Sequence, residues 1–375
     1  MKRLLAETSR SSGFAVAESF TEDILIEILS SLPIKSLMRF KCVSKWWQSL
    51  IADPGFAKSH LQRMKARDII PSQRIVKSSP LQTIDYELFD GGIGGDEDSV
   101  VVKFHEPRMD DSRWELVLVG SCDGLVCLSF HVGFLLYNPT TKESRNLPGS
   151  NNFPEDFFLG VGDEFFHGFG YDYASDDYKI VQGDGCQVAI FSLKSGSWRY
   201  IQVQQESHLT VYGRGVYWNE ALHWCVVDNS KNKTVIMSFD LSEEKFQQVL
   251  SVPEVNGDIV FEGLGIHGAN LFIYHGTYKD RLEAWITNEY SRGGSWTTLF
   301  SVLNEIPGGI YFQIPVAYTR SRKIIFQIDT YQMVLFNPED NTYKNYPIES
   351  DDNVASTIYV ETLVSPYLGC ELSRI

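Results

Sequence analysis

The twelve residues from Tyr137 to Pro148, YNPTTKESRNLP, return 199 positions later as FNPEDNTYKNYP, from Phe336 to Pro347. Both open aromatic-Asn-Pro, both place Asn at the tenth position, and both close on Pro. Weaker copies lie between them, anchored by Phe191 in AIFSLKSGSWRYI, Phe239 in MSFDLSEEKFQQVL and Trp285 in EAWITNEYSRGGSWTTLF. The five anchors are 54, 48, 46 and 51 residues apart. A repeat of this length admits few architectures, because each unit buries its apolar face only against the next unit.

Each anchor ends an apolar run, and in four copies a polar residue follows: Asn138, Ser192, Asp240 and Asn337. Seven residues past the anchor, three copies place a second aromatic, Trp198, Phe246 and Tyr343; Trp296 does so after a longer loop. The spacing predicts a hairpin, with a strand ending at a polar turn and a returning strand that packs its aromatic across from the first. Further strand pairs read from GFGYDYASDDYKIV, GVYWNEALHWCVV and GLGIHGANLFIYHG, the last two turning at Asn219-Glu220 and Gly268-Ala269-Asn270. Several strands per repeat of about 50 residues are blades of a β-propeller, about six of them; unrelated strands of a β-sandwich are the alternative. The abundance of aromatics, 8 Trp, 18 Tyr and 23 Phe, supports a mainly β chain.

The first 65 residues follow another pattern. Ile24, Leu25, Ile28, Leu29 and Leu32 form one helical stripe. Thr21 stands at the N-cap position, and Glu22, Asp23 and Glu27 complement the helix start. Pro33 ends that helix, a second is expected around Ser36–Lys41, and Ser44 caps a third, KWWQSLI, which stops before Asp53-Pro54. Leu37, Met38, Phe40, Val43, Trp46, Trp47, Leu50 and Ile51 give this unit more apolar surface than it buries alone. Two outcomes are open: it packs on its own chain, or it docks another protein.

Charge divides the chain at the same place. Residues 1–65 carry ten Lys/Arg against six Asp/Glu, or +4, so the remaining 310 hold −19 of a net −15. An acidic body argues against nucleic acid as the main partner and suits a solvated surface, with room for a basic protein partner. The start, MKRLLAETSRSSG, has no signal-peptide core, and no apolar run is long enough to span a membrane. Cys42, Cys122, Cys127, Cys186, Cys225 and Cys370 show no CxxC pair or disulfide spacing, which points to a reducing compartment, cytoplasm or nucleus.

The residues from Leu32 to Leu61 carry a resemblance. Leu-Pro-x-Lys-Ser-Leu at Leu32–Leu37, Phe-x-Cys-Val-Ser-Lys-x-Trp at Phe40–Trp47, Ser-Leu-Ile at Ser49–Ile51 and Asp-Pro-x-Phe at Asp53–Phe56 resemble an F-box. Two positions depart: Phe20-Thr21 stands where the family opens with Leu-Pro, and Gln48 where Arg is common. The first removes one usual adaptor contact. Downstream, GSCDGLVCL, LYNPTTKESRNLP, FGYDYASDDYKIV, IFSLKSGSWR, GVYWNEALHW and FDLSEEKF resemble the F-box-associated domain of a large plant family, over roughly residues 115–350. Likeness to kelch propellers is of architecture only, since the Gly-Gly pairs at 91–92, 94–95, 293–294 and 308–309 are out of phase with the anchors.

The resemblance implies a tail over residues 1–17, an all-α F-box of three short helices over 18–65, and an all-β propeller over 66–375. It implies that Leu25, Ile28, Leu29, Leu32, Pro33, Leu37, Val43 and Trp47 dock the Skp adaptor of an SCF (Skp–cullin–F-box) ubiquitin ligase and, through it, a cullin. The propeller would then present a target protein for ubiquitination and degradation, the chain being a receptor rather than an enzyme. A non-degradative scaffold and a carbohydrate-binding propeller are the alternatives. Which residues meet the target is not specified.

Motifs with chemistry are few. GSCDG, Gly120 to Gly124, fits a nucleophile elbow around Cys122, but strand-like residues flank it on both sides, and Asp123-Gly124 is a hairpin-turn signal. The eight histidines form no metal-ligand spacing. Tyr171, Asp172, Tyr173, Asp176 and Asp177 lack cation-loop spacing and are expected in a solvated turn. No phosphate or dinucleotide fingerprint is present, so no cofactor is expected. The acidic, glycine-rich stretch Asp90–Ser99 reads as a loop.

Overall fold

The computed structural model describes residues 22–66, 73–78, 81–90, 101–103, 116–130, 133–150, 165–203, 209–231, 233–253, 261–276, 281–289, 295–303, 313–328, 332–347 and 355–367. The expected tail over 1–17, Phe20, the Thr21 cap and most of the Asp90–Ser99 loop lie outside them. Two compact units result. Among the described residues, one holds four helices together with residues 361–364, and the other holds the strands and a single-turn helix, Glu87–Asp90. Residues 361–364, expected in the β domain, thus join the helical unit. No helix among the described residues is long and apolar enough to cross a membrane.

The helical unit comprises α1 (residues 22–30), α2 (Ile34–Phe40), α3 (Lys45–Ile51) and α4 (Pro54–Ala66). Three helices were expected. The fourth arises because Asp53-Pro54 starts a helix as well as ending one: the Asp53 carboxylate accepts from the Phe56 N–H at 2.9 Å, and proline fits the first helical turn. Leu29, Ile34, Leu37, Ile51, Phe56, Ala57 and Leu363 form the core. Arg63 grips Glu27 with two hydrogen bonds of 2.7 Å, tying α4 to α1.

The strands form six sheets among the described residues. One joins the two ends of the domain: β1 (Gln73–Lys77), β2 (Gln82–Ile84) and β3 (Val101–Lys103) are completed by β25 (Ser356–Val360), which pairs with β1. Five are contiguous in sequence. They are β4–β7 (Val117–Cys122, Leu125–Phe130, Gly133–Asn138, Glu143–Pro148), β8–β11 (Phe166–Asp172, Asp177–Gly183, Gln187–Ser192, Ser197–Gln202) with the two-residue β12 (Gly213–Arg214) beside β8, β13–β16 (Val216–Trp218, Ala221–Asp228, Lys233–Asp240, Lys245–Leu250), β17–β20 (Gly263–His267, Asn270–Gly276, Arg281–Thr287, Thr297–Leu303) and β21–β24 (Gln313–Tyr318, Ile324–Ile328, Gln332–Asn337, Thr342–Pro347). The innermost strands β25, β4, β8, β13, β17 and β21 touch in that cyclic order, so the sheets close into a six-bladed propeller. Closure by β25 removes the open edge that an incomplete ring would leave.

The repeated frame is the hairpin between the third and fourth strands of a blade. Asn138 accepts from the Thr140 and Thr141 N–H groups at 2.8 and 3.2 Å, and Asp240 from those of Ser242 and Glu243, both at 2.8 Å. Ser192 and Asn337 do the same for Ser195 and Glu339. The fourth residue after each, Lys142, Gly196, Glu244 and Asn341, has φ of 63°, 66°, 58° and 57°. Each copy is therefore one turn with one left-handed residue at its close. Phe191 faces Trp198, Phe239 faces Phe246 and Phe336 faces Tyr343 across the ladder. Trp285 departs from this pattern: it faces Thr298, behind a bulge. Trp296 instead donates its indole N–H to the Ser251 carbonyl at 2.7 Å, just past the end of the preceding blade. Trp198 makes the equivalent bond to Pro148 at 2.9 Å, so both indoles strap adjacent blades together.

The core lies between blades. Phe166, Ile190, Leu222, Trp224 and Phe239 fill the space between the β8–β11 and β13–β16 sheets, and Phe272, Phe300, Phe326 and Phe336 that between β17–β20 and β21–β24. A buried ionic bridge crosses one such interface. The buried Lys179 ammonium donates to Asp172 at 2.7 Å, to the Leu241 carbonyl at 2.6 Å and to Glu244 at 3.0 Å, and Arg199 also pairs with Glu244.

Candidate functional site

The helical unit leaves four large apolar side chains at its surface. Ile24, Ile28, Val43 and Trp46 are 47%, 51%, 61% and 40% exposed, too much for side chains with a place in the core. Ile24 and Ile28 lie one turn apart on α1. Val43 sits in the turn after α2, and Trp46 in the first turn of α3, whose start is fixed by Ser44 accepting from the Trp47 N–H at 3.2 Å. Trp47 is half-buried, its ring edge-on to Phe40 with centroids 5.2 Å apart. Pro33 is exposed at the head of α2.

The eight residues expected at an adaptor interface separate by this geometry. Ile28, Pro33 and Val43 are exposed; Leu25, Leu32 and Trp47 are half-buried; Leu29 and Leu37 lie inside the core at 1% and 0% exposure. Leu29 and Leu37 hold the unit together and leave no surface for a partner. Leu32 has a further backbone role, its carbonyl accepting from His60 Nε2 at 2.9 Å. Burial lowers the His60 pKa below its ordinary 6.5, with Arg63 acting in the same direction against that hydrogen bond. Ile24 and Trp46 add exposed apolar side chains beyond the expected set; their signal in the sequence was position, one turn before Ile28 and one residue before Trp47.

The propeller offers no assembled catalytic group among the described residues. Cys122 is buried at the end of β4, and Asp123 and Gly124, with φ of 52° and 84°, make the tight turn into β5. A strand rather than a helix follows, so the elbow geometry is not formed. Asp172 and Asp177 are buried, contrary to a solvated turn: Asp172 holds Lys179 and the Ser175 hydroxyl, and Asp177 accepts from the Ser192 hydroxyl and the Lys194 N–H. Burial alone would raise the Asp172 pKa, but those hydrogen bonds outweigh it and hold the group below its ordinary value. No group of His, Cys, Asp or Glu among the described residues is placed to hold a metal ion.

These two units have counterparts. Residues 76–370 match the F-box associated beta propeller domain, and residues 18–59 match the F-box domain. The chain belongs to the F-box-associated propeller family. An F-box/kelch-repeat protein of Arabidopsis thaliana is 29% identical over 365 residues, covering 92% of this chain and 95% of the relative. F-box protein CPR1 of the same plant is 27% identical over 382 residues, covering 93% and 89%. Among solved structures, TolB from Acinetobacter baumannii aligns with 81% of this chain and 72% of its own at 8% identity, with a TM-score of 0.43. The exposed apolar side chains thus belong to an F-box, and the ring to a domain that accompanies F-boxes.

Proposed function

We propose that the chain is the substrate-recognition subunit of an SCF ubiquitin ligase. Its F-box docks the Skp adaptor, and through it a cullin, while the propeller holds a target protein for ubiquitination and proteasomal degradation, in the cytoplasm or nucleus. The observation that carries this reading is the exposure of Ile24, Ile28, Val43 and Trp46, four large apolar side chains left outside a well-filled core. The chain's contribution is proximity: a rigid ring keeps the target's lysines within reach of a loaded conjugating enzyme. No residue of this chain takes part in bond making.

Affinity capture from plant extract tests it, comparing the intact chain with an Ile28→Asp/Val43→Asp variant. Both positions are surface sites, so the variant should keep its fold, lose adaptor and cullin, and retain proteins bound through the propeller. An intact chain that captures no adaptor overturns the reading. A captured target whose lifetime does not change under a proteasome inhibitor removes the degradative step.

A further inference from the structure

One cation lies at the axis of the ring without an anionic partner among the described residues. Segment 211–215 includes the short strand β12, which runs parallel to β8 along its inner edge. The segment is firmly held. The Gly213 and Gly215 N–H groups each donate at 2.7 Å, to Phe165 O and His167 O, and the Trp224 indole donates to Gly213 O at 3.1 Å. Gly213 takes φ of 75°, and Gly215 leaves room for Trp224, whose ring would lie 2.5 Å from any Cβ there.

From this anchorage Arg214 reaches past the intervening blade to β25. Both terminal nitrogens donate to one acceptor, the Ser356 carbonyl, at 3.3 Å each. Charge-assisted bonds of guanidinium groups run shorter, about 2.7–2.9 Å, and five N–H donors are present in all. Among the described residues Arg214 meets no carboxylate. The Ser356 hydroxyl, on the residue that receives it, is buried with no hydrogen-bond partner among them. His167, opposite Arg214 in the register, is neutral: burial and the Arg214 charge lower its pKa to about 4. Ser356 opens β25 and His167 is second in β8, which places the group at the end of the ring where connections between blades enter. Tyr212, two residues before Arg214, is 44% exposed there. An aromatic and an arginine on a rigid segment match the composition of interaction hot spots.

We propose that this end of the ring's inner edge is where the target is anchored, and that it takes one carboxylate, from a chain terminus or an Asp or Glu side chain, onto Arg214 with Tyr212 packed beside it. The proposal rests on the reading of the propeller as the target-holding part. A single carboxylate fits better than an acidic run, because residues 66–375 together carry −19 and repel extended negative charge.

A random peptide library, made in parallel with free C-terminal carboxylates and C-terminal amides, is screened against the full chain. Selected peptides are remade with each Glu→Gln and Asp→Asn change, and affinities read by fluorescence anisotropy. Each binder should contain one carboxylate, terminal or internal, whose neutralisation weakens binding roughly 10- to 100-fold. Arg214→Met should cause a similar loss, and the two changes together no more than either alone. Tyr212→Ala, at an exposed site, should weaken binding without affecting the fold. Binders indifferent to all neutralisations, a carboxylate effect that persists in Arg214→Met, or a library that yields no binder overturns the assignment. Adaptor capture on the same preparation keeps the outcomes apart: a chain that captures adaptor while failing the peptide test loses only this site.

Discussion

The helical unit and the propeller use similar side chains in opposite ways. In the propeller, Trp224 is 2% exposed, and Phe239 and Phe326 are 0% exposed, each packed between neighbouring sheets. In the helical unit, Ile24, Ile28, Val43 and Trp46 face outward around a core of seven buried residues. So short a segment folds as four helices only if a few positions are filled well, which leaves the remaining apolar side chains at its surface. Between blades a ring leaves little such remainder, because each blade's second face is its neighbour's first; the propeller's exposed large apolar side chains include Leu88 and Tyr173, Tyr212 and Tyr343. On the proposed reading a partner completes the F-box, whereas the propeller is closed by its own last strand.

Core truncation gives the largest contrast. Phe239→Ala should cost the propeller about 3–5 kcal/mol, and Leu37→Ala the helical unit about 2–5 kcal/mol, both seen as lowered urea midpoints. Ile28→Ala should shift neither transition by more than about 0.5 kcal/mol, yet reduce adaptor capture. If Ile28→Ala destabilises like Leu37→Ala, the outward face belongs to the chain's own packing and the comparison collapses.

Next comes the buried ion cluster, which the helical unit lacks among its described residues. Lys179→Met leaves Asp172, 3% exposed, without its cation, and should cost about 3–5 kcal/mol. The folded pKa of Asp172 is lowered, so its contribution is present above the ordinary 3.8 and disappears as pH falls through the lowered value. The acid limb of the propeller's stability curve should flatten in Lys179→Met; an unchanged limb would show that other carboxylates govern it.

His60 carries the opposite charge logic in the helical unit. It is held neutral, so the unfolded chain binds a proton more readily, and stability should fall as pH drops below 6.5 and level off beneath the lowered folded value. His60→Gln, which keeps a donor for the Leu32 carbonyl, should remove that slope. Circular dichroism at helical wavelengths reads it. A slope that survives the substitution assigns it to another group.

How much of this was legible in the sequence follows from where the repeats were intact. Five anchors identified five blades, because each third strand is followed in the chain by its own turn and fourth strand. The sixth blade carries no such frame, as its strands come from both ends of the domain and its third strand, Gln82–Ile84, ends in no aromatic-polar pair. Counting places Trp296 across from Trp285, but the bulge beside Ala284 shifts the register, and spacing alone cannot reveal a bulge. In the helical unit, periodicity located the stripe of α1 without showing which edge of it met α4. Leu29 and Ile28 are adjacent in sequence, and packing sent one inward and the other out. The Arg214 site had no signal at all, since it depends on a two-residue strand meeting a residue 142 positions away.

The smallest effect tests the repeat itself. If the hairpins share one turn, Lys142 and Gly196, which unlike Glu244 make no ion pair among the described residues, should answer to the same backbone cost. Lys142 adopts φ of 63° with its side chain in solvent, and Gly196 holds the equivalent place at 66° with nothing within 4 Å of where a methyl group would stand. The two differ only in the cost of a left-handed backbone, which glycine escapes. Lys142→Gly should therefore raise the propeller's stability by about 0.5–1 kcal/mol, and Gly196→Ala should lower it by a similar amount. Equal and opposite shifts in the urea midpoint would mark the turn as one interchangeable part. A Lys142→Gly variant that loses stability would mean that the lysine does something in its blade that Gly196 does not do in the next.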